Sequence, residues 1–279
     1  MSDLLVKQYY TENVRSEWRW LVKDAYHRLE FTTTLHFLDQ YLPPHGRVLD
    51  AGGGPGRYTL ELAKRGYDVT LLDATGANLD FARRMVRRHG FRNRVEQIVE
   101  GSIVDLSQFP GGSFDAVVRS GGHISHILES DDRRRTISEL VRVAKPGAPI
   151  FASVMGRLAV LVVILEGSKQ EIGTQHFNLL RDTGDYLGGR GFTACHFFLP
   201  QEFRQEFNQP DVEILEMAGL EGTSTQHVRE LNQLAKDPER IKYWLETHLK
   251  ICTDPSVVGM SEHMLIVCRK IQENRAIKT

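Results

Sequence analysis

The sequence predicts a doubly wound α/β fold around a mostly parallel, seven-stranded sheet, with an inserted cap and an N-terminal helical lid. Three observations carry that expectation. Short apolar strands alternate with amphipathic helices from residue 47 to 154. The first strand runs into a glycine cluster at 52–56 that opens a helix. The alternation then breaks at an apolar run, 158–165, and resumes as strand signals near 212 and 261.

The lid occupies residues 1–45. Its helix is expected over 16–42, because Trp18, Leu21, Val22, Ala25, Leu29, Leu35, Leu38 and Leu42 recur mostly at steps of three and four. Pro43 and Pro44 stop it. The core, 46–155, begins with a strand at 47–51 and a helix over 58–65 that ends at Gly66. A strand at 67–73 and a helix over 76–89 follow, then strands at 95–100 and 114–119. A helix starting near 130–132 closes at Pro146-Gly147 before a strand at 149–154. Right-handed crossovers put the C-terminal ends of these strands on one rim, where ligands bind in Rossmann-like sheets.

Residues 156–210 form the inserted cap, with the apolar run, glycines 184, 188, 189 and 191, and a strand-like stretch at 192–199. The sheet is expected to finish within 211–270, through strands at 212–217 and 261–268. Between them lie two helices, near 224–236 and 239–251, and residues 271–279 read as a tail.

Composition excludes several classes. The chain has 279 residues, 35 Lys plus Arg against 36 Asp plus Glu, and a net charge of −1, without the basic footprint of a dedicated nucleic-acid binder. Cys195, Cys252 and Cys268 form no CxxC pair, which argues against a disulfide framework or a thiolate zinc site; no metal is expected. The expected compartment is reducing and cytoplasmic. No secretory signal is expected, since the opening residues hold no apolar h-region. The longest apolar run is eight residues, against about 20 for a bilayer span.

The sharpest chemical signal is Val48-Leu-Asp-Ala-Gly-Gly-Gly-Pro-Gly-Arg-Tyr-Thr59. Its glycines let the backbone turn tightly and let a ligand press against it. The following helix offers free N–H groups and a positive dipole end. Asp73 closes the next strand, 23 residues after Asp50, where a carboxylate accepts both hydroxyls of a ribose. The plain alternative is tight geometry alone; the acid at the second strand's end favours a nucleoside. The dinucleotide pattern Gly-x-Gly-x-x-Gly fails in every register, and no Gly-Lys-Ser or Gly-Lys-Thr is present.

Asp50-x-Gly-x-Gly-x-Gly56, Asp73, the Phe114-Asp-Ala-Val-Val strand and Leu140-Val-Arg-Val-Ala-Lys-Pro-Gly147, in that order, resemble the class I S-adenosylmethionine-dependent methyltransferases. The resemblance covers about 46–155, and the flanks look like small-molecule members. It implies S-adenosyl-L-methionine as cofactor, with Gly52, Gly54 and Gly56 beneath its methionine part, Asp50 organising the turn and facing the ammonium, and Asp73 on the ribose. The family's acid after Gly101 is replaced by Ser102, which leaves the adenine to Ser102 and the Ile103 backbone, with Asp105 as a substitute.

Ser120-Gly-Gly-His-Ile-Ser-His126 lies on the ligand rim and should face the transferred methyl, Ser120 on the cofactor side. His123 and His126 are the candidates for orienting or deprotonating the acceptor; packed loop histidines are the plain alternative. Tyr9, Tyr10, Trp18 and Tyr26 form an aromatic lid, and His176, Cys195 and His196 of the cap are candidate pocket residues, with Tyr9, Tyr10, Trp18 and His196 placed on the substrate. A core-facing stripe is the alternative for Trp18, and a buried hydrophobe for Cys195. The arginines between 83 and 94 read as a solvated helix face.

The expected reaction is in-line methyl transfer to nitrogen, oxygen or sulfur of a small molecule. RNA or protein methylation is the alternative, although no Asn-Pro-Pro-Tyr-like motif follows the fourth strand. A nicotinamide-dependent oxidoreductase and a non-catalytic cofactor-binding scaffold are the remaining readings.

Overall fold

A computed structural model describes residues 2–188 and 192–272. Glycines 189 and 191 and most of the expected tail lie outside the described residues. The chain begins with helices α1 (Ser2–Trp20) and α2 (Ala25–Tyr41). The alternating core follows as β1 (Arg47–Ala51), α3 (Arg57–Lys64), β2 (Asp68–Asp73), α4 (Gly76–Arg88), β3 (Val95–Glu100), β4 (Ala116–Arg119), α5 (Ser130–Val143) and β5 (Pro149–Met155). The cap comprises α6 (Arg157–Gly167), α7 (Gln175–Thr183), the two-residue strands β6 (Asp185–Tyr186) and β7 (Cys195–His196), and α8 (Pro200–Glu206). The chain returns as β8 (Val212–Gly219), α9 (Val228–Leu234), α10 (Pro238–Ile251), α11 (Pro255–Met260) and β9 (His263–Lys270).

The main sheet has seven strands in the order β3-β2-β1-β4-β5-β9-β8. β3 to β5 pair in parallel, and β9 runs antiparallel to both β5 and β8. Alternating side chains of each strand feed two cores, as the pleat requires. Leu49, Val117 and Ile150 pack with Ile137 and Leu140 of α5 and Phe203 of α8. Val48, Val118 and Phe151 pack with Leu38 of α2, Leu62 of α3 and Val86 of α4. Fully burying each such side chain stabilises the fold by about 1.5–3 kcal/mol.

Three expectations need correction. The helix expected over 16–42 is two helices, because Asp24 caps the second by accepting the His27 N–H at 3.0 Å. α2 buries Leu38 in the second core, whereas α1 crosses to α4 and the end of β3, where Trp18 meets Phe81 at 5.4 Å and packs against that core and Lys7 pairs with Glu100 at 3.3 Å. The strand-like stretch 192–199 forms a ladder only at Cys195–His196 and a single parallel bridge from Phe198 to Gly156, and the apolar run before it is helix α6. Burial of the cap against the sheet, and not ladder pairing, accounts for those apolar residues: Phe198 and Phe203 are fully buried in the first core. Between β8 and β9 there are three α-helices where two were expected.

Candidate active site

The C-terminal rim of the sheet opens on a cavity of about 520 Å³. Gly52, Gly53 and Pro55 line its floor, Ser120 and His123 one wall, and α1 and the cap its roof, with Tyr10 and Phe192 among the roof residues.

The glycine turn is held from two sides. Gly52 N–H and Gly53 N–H both donate to the Leu72 carbonyl, at 2.6 and 3.2 Å. Gly54 N–H donates to Asp73 Oδ2 at 3.0 Å, so the turn and the acid meet directly. Asp73 Oδ1 accepts the Thr75 N–H at 2.8 Å and Asn78 Nδ2 at 3.2 Å. Beneath the turn Asp50 is buried and accepts the Thr59 hydroxyl at 2.6 Å; burial pushes its carboxyl up to about 6. Gly52, Gly54 and Gly56 adopt left-handed φ of 73°, 56° and 86°.

Arg119, at the end of β4, is buried in the field of Asp73, Tyr10 and Asp50 and donates to the Gly52 carbonyl at 3.3 Å. Burial lowers this guanidinium to about 10, against the opposing pull of those acidic groups. Arg57 lines the cavity and holds α1 in place: it donates to the Trp18 carbonyl and lies 3.6 Å over the Trp18 ring.

His126 is fixed in one tautomer. Its Nδ1 lies 3.0 Å from the Ala194 carbonyl, which can only accept, so that nitrogen carries the proton. Nε2 is therefore the acceptor for the Tyr10 hydroxyl at 2.8 Å. His123 donates from Nδ1 to the Ser120 carbonyl at 3.2 Å. Burial drives both imidazoles toward the neutral form, His126 to about 4, and Arg119 adds to the effect in each.

The sequence from 48 to 147 matches the family described as "Methyltransferase domain". The 2-heptyl-1-hydroxyquinolin-4(1H)-one methyltransferase of Mycobacteroides abscessus is 32% identical over 174 residues, which span 59% of this chain and 74% of that protein. The chain belongs to the class I S-adenosylmethionine-dependent methyltransferases. The glycine/sarcosine N-methyltransferase of Aphanothece halophytica is 30% identical over 111 residues. The match spans about two fifths of the length of that enzyme and of the putative methyltransferase YqeM of Bacillus subtilis, 41% and 42%. Among solved structures, a methyltransferase of Methanosarcina mazei superposes with a TM-score of 0.61 at 20% identity, covering 85% of this chain and 98% of its own. The Burkholderia thailandensis 1,6-didemethyltoxoflavin-N1-methyltransferase gives 0.58 at 14% identity, covering 97% and 89%. These likenesses establish the fold.

Within this member of the family the residues expected at the site are distributed unevenly. Tyr9, Tyr10, Gly52, Ser120, His123, His126 and His176 line the cavity. Asp50, Gly54, Gly56 and Asp73 support its floor without lining it. Ser102 is exposed, with its hydroxyl accepting the Val104 N–H, and Ile103 packs toward the first core; neither lines the cavity. Trp18 stacks under Arg57 while Trp20 takes the cavity position. His196 stands apart from the cavity: its two nitrogens lie 2.6 Å from Asp185 and from Glu202, which also pairs with Arg157 at 2.7 Å, a charged clamp inside the cap. Cys195 is buried in the small cap core.

Sequence reasoning missed Arg57, Asn78 and Arg119, and the wall formed by Glu17, Glu30, Glu262 and His263. Arg119 alternates correctly into the rim from β4, but an arginine at a strand end gives no signal of burial. The wall joins the two N-terminal helices, α1 and α2, to the start of β9 at the other end of the sequence.

The floor fits the family's cofactor. Among the described residues Ser120 Oγ and Asn78 Oδ1 are buried with no hydrogen-bond partner, and both residues line the cavity. Above Gly54 there is open space, since a Cβ there would meet only Asn78 Nδ2, at 3.8 Å. Unsatisfied buried polar atoms cost about 1–3 kcal/mol each, so a ligand bearing donors and acceptors removes a standing penalty.

Proposed function

We propose that the chain transfers a methyl group from S-adenosylmethionine to a small-molecule acceptor held under α1 and the cap. The observation that carries this reading is the meeting of the glycine turn and Asp73 through the Gly54 N–H, beside a roofed cavity faced by Tyr10, His123 and His126.

When bound, the cofactor supplies a methyl already activated on a sulfonium. Gly52, Gly53, Asn78 and Ser120 would hold it, with Asp73 toward the ribose and Arg57 as the cation for its carboxylate. The protein's work is then alignment and exclusion of water, which together supply on the order of 7–11 kcal/mol in well-oriented reactions. Tyr10, Phe192 and Tyr9 stack edge to face across the roof, Tyr9 to Tyr10 at 5.4 Å and Tyr9 to Phe192 at 5.7 Å, and keep solvent out. His126 Nε2 is an unprotonated nitrogen at the cavity. The Tyr10 hydroxyl occupies its lone pair, so His126 acts through that phenol, whose oxygen it aims into the cavity as a hydrogen-bond acceptor for the substrate. His123, donating from Nδ1, keeps an unprotonated Nε2 of low basicity that suits it to orient the acceptor directly.

The roof supports a small molecule over a nucleic-acid or protein chain, which would need an open groove. The test is a panel of small-molecule, RNA and protein acceptors incubated with the full chain and S-adenosylmethionine, read by formation of S-adenosylhomocysteine. Turnover confined to RNA or protein would overturn the acceptor class, and no measurable binding of S-adenosylhomocysteine would overturn the whole reading.

A further inference from the structure

One wall of the cavity carries more negative charge than methyl transfer requires. Glu17 of α1, Glu30 of α2 and Glu262, just before β9, all line it. Glu30 is 3% exposed, and among the described residues its carboxylate accepts no hydrogen bond; its ion pair is His263 Nδ1 at 3.8 Å. That cation is already engaged, because His263 Nδ1 lies 2.8 Å from Glu221, whose other oxygen accepts the Ser261 hydroxyl and the His263 N–H. Glu17 has no ion pair among the described residues, and burial raises its carboxyl to about 7; burial raises Glu30 to the same range against the pull of His263.

A second observation is independent of these carboxylates. Tyr58, in the first turn of α3, is 5% exposed and lines the same cavity, and among the described residues its hydroxyl makes no hydrogen bond of ordinary geometry, only a weak approach to the Thr34 side chain. A buried hydroxyl left without a partner costs about 1–3 kcal/mol. Two buried polar groups from different helices therefore line the cavity under-satisfied: Glu30 shares one cation with Glu221 and accepts no hydrogen bond among the described residues, and the Tyr58 hydroxyl has none of ordinary geometry.

We propose that the acceptor carries a cationic amine, and that Glu30 and Tyr58, backed by Glu17 and Glu262, form its binding subsite. This rests on the methyltransferase reading above and names the acceptor class within it. A protonated amine satisfies the wall, since it donates up to three hydrogen bonds and supplies the missing positive charge. The rest of the acceptor is apolar, because the cap presents Val160, Ile164, Phe177, Leu180 and Phe197 to the cavity.

The anchoring amine is a different group from the atom that is methylated. An ammonium has no lone pair for displacement, and the neutral histidines that face the methyl lie across the Gly121-Gly122 turn from this wall. A Cβ on Gly121 would sit 3.0 Å from the His123 ring, and one on Gly122 would sit 3.4 Å from the His263 ring. The turn thus separates a neutral, orienting half from an anionic, anchoring half.

The experiment uses the full chain loaded with S-adenosylhomocysteine and titrated by calorimetry with matched probes: tryptamine against tryptophol and indole-3-acetate, and hexylamine against hexanol. At least one amine should bind tenfold or more tightly than its alcohol, with the carboxylate weakest. Glu30→Gln should reduce that preference to threefold or less while S-adenosylhomocysteine affinity stays within twofold. Glu17→Gln, on the lid helix, should reduce it partially and serves if the buried variant fails to fold. Absence of any amine preference, or a preference that survives both variants, overturns the subsite but leaves cofactor binding intact. Stabilisation by Mg²⁺, Mn²⁺ or Zn²⁺ alone that Glu30→Gln abolishes, without amine preference, overturns it in favour of a metal. Failure of the parent chain to bind S-adenosylhomocysteine counts against the methyltransferase reading instead.

Discussion

Gly53→Ala probes the turn more severely than any change at the alternating glycines around it. A Cβ at 53 would lie 2.3 Å from Asp50 Oδ2 and 2.6 Å from Leu71 Cδ1, against 3.4 Å or more for ordinary contact. Neither neighbour can retreat cheaply. Asp50 is 1% exposed and accepts the Thr59 hydroxyl, and Leu71 is fully buried under α4. The turn must lift by roughly 1 Å, or Asp50 must leave Thr59. Overpacking of this kind costs about 1–3 kcal/mol, and loss of a hydrogen bond to a charged group about 1.5–3 kcal/mol. A destabilisation of about 2–3 kcal/mol corresponds to about 4–12 °C in Tm. Because the lifted backbone lines the floor of the cavity proposed to hold the cofactor, S-adenosylhomocysteine affinity should fall by about tenfold or more, as 1.4 kcal/mol does. Gly54→Ala is the control: its φ of 56° strains an alanine, but the new Cβ meets open space, so the cost should stay near 1–2 kcal/mol. Differential scanning fluorimetry and calorimetry measure both. A Gly53→Ala protein with parental Tm and parental affinity would refute the packing argument.

Asp73→Ala removes the acceptor of Gly54 N–H, Thr75 N–H and Asn78 Nδ2, and should weaken S-adenosylhomocysteine binding by at least tenfold; unchanged affinity by calorimetry would remove Asp73 from the ribose. Arg119→Met leaves Asp50 and Asp73 without their buried cation and should cost about 3–5 kcal/mol in urea unfolding; a change below 1 kcal/mol would mean that the cation does not stabilise them. His126→Ala should lower turnover by about 10² with cofactor affinity kept, and full activity would demote the ring to packing. His126 is held at about 4, below its unfolded value, so its contribution to stability is complete above about pH 6.5. That contribution is lost as pH falls through 4, and a ring titration by NMR with a midpoint near 6.5 would contradict the burial argument.

The first half of the sheet was legible because each signal there is local. Gly66 and Pro146 end helices by backbone geometry alone, and Asp73 follows its strand wherever the sheet lies. The lid was misjudged because an apolar spacing of three and four continues across the break at residues 21–24, while the stop depends on one capping side chain, Asp24. The cap stretch at 192–199 looked like a strand because it is apolar, yet its burial comes from tertiary packing, with only Cys195 and His196 in a ladder. His196 looked available for substrate for the same reason that it is unavailable: a histidine among apolar residues gives no hint of the carboxylates, Asp185 and Glu202, that the fold brings to both its nitrogens. The turn glycines were read for their left-handed angles, while Gly53, the tightest, has none and owes its identity to Asp50 beneath it.

Histidine chemistry within the one cavity follows from the same distinction between local and assembled environments. His123 and His126 sit on a short loop after β4, near the buried Arg119 cation, with carbonyls and a phenol as hydrogen-bond partners, so both are driven neutral. His263 opens β9 opposite Met155 and meets Glu30 and Glu221, which α2 and the end of β8 bring to it, so it is pushed up to about 10. A ring that must receive an acceptor's hydrogen bond has to be unprotonated, and a ring that holds two buried carboxylates together has to be protonated. The sheet places both kinds on the same rim by taking one from a parallel crossover and the other from the single antiparallel strand. That strand is therefore a working part of the site as well as the closure of the sheet: inverting its direction would carry His263 from the rim to the opposite end and leave Glu30 and Glu221 facing each other without a cation.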